Sequence, residues 1–124
     1  MKTSELLRNA GKAIETLGFH KGDYVGVGKD DEPCGLCALG AVRVSVNGWT
    51  PEAPAEFDVF GAAVYGGLEA SGRAEIYLEN ALREILPDGT TYYIPWWNDA
   101  EERTQDEVLA LFELAATRAE EAGD

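Results

Sequence analysis

Apolar positions recur three and four residues apart along much of this chain, the spacing that gathers them on one face of an α-helix. Leu6, Leu7, Ala10, Ala13, Ile14 and Leu17 make the first such stripe, with Thr3 placed to cap it and Gly18 to end it. From Cys34 to Asn47, small residues and leucines again fall at helical intervals, behind an acidic lead-in, Asp30-Asp31-Glu32-Pro33, that suits a helix entry. Val42 to Val46 followed by Asn47-Gly48 also fits a strand and turn. The helical reading is adopted. Apolar residues then run almost all the way round that helix, which predicts it as the buried centre of the fold. Arg43, carried on it, needs a carboxylate or a route to water, and Asp99 is the expected partner.

Thr50-Pro51-Glu52 opens a third helical stretch, whose stripe is Phe57, Phe60, Val64 and Leu68. A fourth starts near Ser71 or Gly72 and is expected to bury Ala74, Tyr77, Leu78, Ala81, Leu82 and Ile85. The last runs from Gln105 to about Ala122, with Leu114 on the side opposite its apolar stripe. Thr104 and Glu107 have the spacing of a capping box at its start. Two segments read as extended: Asp23 to Gly28, which alternates, and Thr90 to Ile94, which is rich in β-formers and closed by Pro95. Residues 23–28 and 90–95 are candidates to pair as a small two-stranded ribbon. No repeat or linker interrupts the pattern. The fold class expected is mainly all-α, a single compact bundle of about five helices spanning residues 1–124.

Composition agrees. A chain of 124 residues that is 45% hydrophobic suits one domain with one core. No apolar run reaches the roughly 18 residues of a membrane span, and Met1 to Glu5 leads into an amphipathic pattern rather than a signal-peptide core. A cytoplasmic location with reduced thiols is the expectation. Charge adds the strongest global fact: ten basic residues against 23 acidic ones, a net charge of −13. All four lysines lie in residues 1–32, so the remainder of the chain carries five arginines and 17 acids. Such a surface repels nucleic-acid phosphates and anionic membranes as direct partners, and it favours a basic protein.

Candidate chemistry is thin. Cys34-Gly35-Leu36-Cys37 is a C-x-x-C at a predicted helix start, where dipole and free N–H groups favour a thiolate. The βαβ scaffold of a thiol exchanger is missing from the pattern, and Cys37 reads more simply as a small core residue. One histidine, His20, is too few for the usual zinc sets, and no cofactor is expected. There is no nucleophile elbow and no P-loop. An enzyme is therefore the less favoured reading.

Trp96-Trp97-Asn98-Asp99 is the best site candidate. Two adjacent indoles in an extended segment point apart, so one serves the core while the other reaches the surface. Tyr92, Tyr93, Trp96, Trp97 and Leu114 are the candidate partner-binding residues, aromatics being common interface anchors. Arg43, Asn98, Asp99, Thr104, Glu107 and Cys37 are assigned structural roles.

The combination of Cys37-Ala38-Leu39-Gly40-Ala41 with Trp97-Asn98-Asp99, Arg103-Thr104 and Glu107-Val108 resembles a domain-of-unknown-function family of actinobacteria and their phages. The resemblance implies a helix around Cys37. Cys34 stands outside that family's pattern, and the family brings no activity, cofactor or catalytic residues with it. The functional expectation is an acidic, non-enzymatic interaction or regulatory protein, phage-encoded, that binds a host or phage protein. A thiol-redox protein using Cys34 and Cys37 is the alternative, and a DNA-mimic inhibitor of a nucleic-acid-binding protein is a further one.

Overall fold

A computed structural model describes residues 1–21, 25–27, 33–52, 68–86 and 93–124. The side chains of residues 25–27, 33–35 and 68 lie outside that description. Among the described residues there are five helices: α1 (Thr3–Leu17), α2 (Ala38–Val46), α3 (Leu68–Ile85), α4 (Ile94–Asp99) and α5 (Gln105–Glu121). Two short strands, β1 (Val25–Val27) and β2 (Pro33–Leu36), complete the set. The protein is a mainly helical bundle. The expected helix after Thr50 falls largely on residues outside those described.

Helix α1 lies at the middle of the packing. Its inward stripe, Leu6, Leu7, Ala10, Ala13 and Ile14, is the one its spacing predicts, and it meets α5, α2 and α3. Helix α5 answers with Val108, Leu111, Phe112, Ala115, Ala116 and Ala119, all buried. Alanines and Gly11 keep these two backbones close: a Cβ built on Gly11 would meet the Phe112 Cβ at 3.7 Å. Lys2 occupies the cap position of α1, so Thr3 is the first helical residue and makes no capping bond. One free N–H of that first turn is taken instead by the far end of the chain, Ser4 N–H donating to the Asp124 carbonyl at 3.0 Å. Gly18 and Gly48, at φ of +97° and +105°, follow α1 and α2 in conformations that suit a residue without a Cβ.

The extended segments and the start of α2 need correction. The helix read from Cys34 begins one turn later, because Pro33–Leu36 is a strand. Leu36 is held on both sides: its N–H donates to Gly18 O at 2.8 Å and its carbonyl accepts His20 N–H at 2.9 Å, while β2 pairs antiparallel with β1. With those groups committed to extended pairing, the helix can start only at Ala38. The described partner of Val25–Val27 is 33–36; of the expected partner segment 90–95, residues 90–92 lie outside the described residues. Residues 94–99 form a helix, in which Pro95 occupies the first turn, where its missing N–H costs nothing, rather than closing a strand.

Helix α3 starts at Leu68, earlier than Ser71, and buries Ala74, Leu78, Ala81 and Leu82. Ile85 at its last position is 50% exposed, against expectation. Among the described residues, the carboxylate found beside Arg43 is that of Glu75 on α3, at 3.6 Å, rather than the expected Asp99. Helices α2 and α3 pack directly, whereas Asp99 lies at the far end of α4 and accepts a bond from its neighbour Asn98.

Candidate functional site

Helix α4 is only six residues long, and its two faces do different work. Ile94, Trp97 and Asn98 follow the i, i+3, i+4 spacing and turn inward; Trp97 is 5% and Asn98 1% exposed. Tyr93, Trp96 and Asp99, three residues apart, make the outer face. The two indoles do part company as expected, though through helical rather than extended geometry.

The inner face is a clamp. Asn98 Oδ1 accepts the Ala38 N–H at 2.9 Å, satisfying a free donor in the first turn of α2. Its amide nitrogen donates to His20 O at 3.2 Å and to Asp99 Oδ1 at 3.0 Å. One buried side chain thus ties together the start of α2, the strap after α1 and α4 itself. Arg103 lies over the Trp97 ring at 4.1 Å, and its Nε donates to Trp97 O at 2.9 Å. Lys21 Nζ donates to the carbonyls of Ala100 at 2.7 Å and Glu101 at 3.0 Å. Two cations therefore meet the carbonyl end of α4, where the helix dipole favours them.

Thr104 and Glu107 then form the capping box of α5 in full, and Glu107 Oε2 accepts from Arg103 at 2.7 Å. The Thr104 backbone N–H is the main cause holding the Glu107 carboxyl below the usual carboxylate range. The hydroxyl of Thr104 and the guanidinium of Arg103 reinforce it.

Cys37 caps α2, its Sγ accepting the Gly40 N–H at 3.3 Å. A helix start was expected to lower this thiol's pKa. Burial instead pushes it up to about 11, outweighing that hydrogen bond. The Cys37 side chain is half-buried and forms no disulfide among the described residues. The Cys34 side chain lies outside the described residues.

The outer face is open. Trp96 is 68% and Tyr93 53% exposed, their rings edge to face with centroids 5.3 Å apart. Of the other candidate partner-binding residues, Tyr92 lies outside the described residues. Trp97 is buried, and Leu114 is half-buried against the core because the bundle wraps further round α5 than its sequence stripe suggests. Asn98 and Arg103 carry more than sequence reasoning assigned them, as does Lys21, which it passed over. Nothing near Asn98 or Lys21 in the chain signals contacts 60 to 80 positions away.

Elsewhere, an open groove of about 150 Å³ runs between α1 and α5 over Leu7, Gly11, Leu109 and Phe112. Its charges cancel locally: Arg8 is paired with Glu113 at 3.7 Å and bonded to Glu120. Among the described residues, no three His, Cys, Asp or Glu side chains converge into a metal-holding group. No described helix is long and apolar enough to cross a membrane.

Fold and site together define a small acidic helical domain in which a Trp-Asn-Asp…Arg-Thr-x-x-Glu segment staples the bundle. Residues 1–118 match a family described as "Family of unknown function (DUF6197)", and the chain belongs to that family. Neither the curated proteins nor the solved structures contain a match to it.

Proposed function

We propose that the chain is an acidic, non-enzymatic interaction protein that docks a protein partner on the outer face of α4. The observation that carries this reading is the division of labour at the double tryptophan. Trp97 is spent on the core, whereas Trp96 stands in solvent beside Tyr93, at a position where an exposed indole brings no gain in folding. Large exposed aromatics are the side chains that most often anchor protein interfaces. A net charge of −13 favours a basic partner and disfavours nucleic acid. A thiol-redox role at Cys37 draws no support from a thiol held protonated at neutral pH.

A host or phage protein from an actinobacterial setting is the partner this reading names. Affinity capture from an actinobacterial lysate with the full chain and with Trp96→Ala tests it. A partner retained by the former and lost by the latter supports the reading; identical capture by both sinks it.

A further inference from the structure

We infer that Tyr93, Trp96 and Asp99 seat an arginine of the partner protein, its guanidinium lying on the aromatic pair with donors turned to the Asp99 carboxylate. The inference rests on the interaction reading above and specifies what the partner must present.

The chain itself supplies the chemical precedent. On the inner side of α4, Arg103 covers the Trp97 ring at 4.1 Å and reaches the Glu107 carboxylate at 2.7 Å. On the outer side the Trp96 indole is exposed, and three residues on lies Asp99, also exposed, whose Oδ1 accepts a bond from Asn98. A planar guanidinium engages both groups at once, stacking on the ring while its fork adds to the carboxylate's bonds; an ammonium does this less well.

Charge complementarity selects the same occupant. Arg8, Arg43, Arg103 and Arg118 each have a carboxylate partner within the chain, so much of its positive charge is already matched internally. Asp99, Glu101, Glu102 and Asp106 are exposed along and just beyond α4. A phosphate backbone, an anionic membrane or a second copy of this acidic chain would each meet repulsion there.

The test is titration of the full chain with a short amide-capped peptide of alternating glycine and arginine. The same peptide with lysine, and with uncharged citrulline in place of arginine, serve as comparisons. Trp49 and Trp97 are buried, so a change in tryptophan emission and its quenching by acrylamide reports Trp96. The arginine peptide is expected to bind and protect Trp96, the lysine peptide more weakly, and the citrulline peptide not at all. Trp96→Ala should weaken binding by about tenfold, and Asp99→Asn by several-fold, as expected for a cation on an aromatic face beside a carboxylate.

Equal binding of the citrulline peptide, or undiminished binding by Trp96→Ala, overturns the inference. Trp96 is exposed, so the variant should keep the wild-type circular dichroism, and Trp96→Phe, expected to retain part of the affinity, guards against a folding artefact. A captured partner that needs Trp96 yet is not displaced by the arginine peptide defeats this inference while leaving the interaction reading intact. Capture indifferent to Trp96 defeats both.

Discussion

Asn98 and Ala38, sixty residues apart, are joined by a 2.9 Å bond in which a buried side-chain carbonyl takes the first free N–H of α2. The same amide reaches back to the His20 carbonyl at 3.2 Å. Replacing it with alanine strands a buried donor and weakens the hold on an acceptor. Asn98→Ala should therefore lose about 3 kcal/mol of stability, the sum of such unmet groups. The loss should appear in urea denaturation as a lower midpoint with an unchanged slope. A midpoint within experimental scatter of wild type would show that Asn98 is dispensable.

The two indoles of α4 should respond oppositely to truncation. Trp97→Ala removes a core side chain and the surface on which Arg103 lies, and should cost about 3–5 kcal/mol. Trp96→Ala should change stability by less than about 0.5 kcal/mol, as exposed substitutions usually do. Thermal melts of both variants under one set of conditions check the contrast.

That contrast also shows how far the sequence could be read. Helical spacing identified the buried faces of α1 and α5 and the capping box at Thr104 and Glu107, because those signals are local and the interactions they imply lie within one or two turns. The start of α2 is not legible locally, because the acceptors for its first N–H groups are a cysteine sulfur and a side chain sixty residues away. Cys37 is an unusual cap, and Ala38 depends on an asparagine supplied by another helix. The Trp-Trp segment was read as extended because β-formers and a proline surround it, whereas burial of Ile94, Trp97 and Asn98 on one face selects a helical turn. Arg43 was paired with the wrong acid because charge alone does not say which helices pack together.

Arg103 combines a ring contact, a bond to the Trp97 carbonyl and an ion pair in one side chain. Arg103→Lys keeps the charge but loses the flat stacking surface and the Nε donor. It should destabilise by about 1–2 kcal/mol, measurable by calorimetry. An unperturbed melting temperature would mean that charge alone suffices at this position.

Glu107 links stability to acidity. Its folded carboxyl titrates below the ordinary carboxylate range, chiefly because the Thr104 backbone N–H bonds its charged form. Its contribution is therefore complete above the unfolded pKa and is lost as pH falls through the lower folded value. Melting temperatures taken from about pH 6 down to pH 3 should fall less steeply for Glu107→Gln than for wild type. Parallel curves would remove Glu107 from the acid response. Thr104→Ala at neutral pH should cost about 1 kcal/mol, the usual worth of such a cap.

Cys37 offers a check on the burial argument. In a Cys34→Ser background, its alkylation by iodoacetamide should be slow at neutral pH and accelerate as pH climbs toward about 11. Unfolding should abolish the delay. Rapid labelling of the folded protein near neutrality would contradict the assignment of Cys37 as a buried cap.

The bond from Ser4 to Asp124 places the first and last turns of the chain side by side. Tyr77, whose hydroxyl also bonds the Asp124 carboxylate, holds the closing turn in place from a third helix. A few glycines would bridge that gap and turn the polypeptide into a ring, so it is a natural seam for circular permutation. Segments attached before residue 1 and after residue 124 would emerge from that same corner.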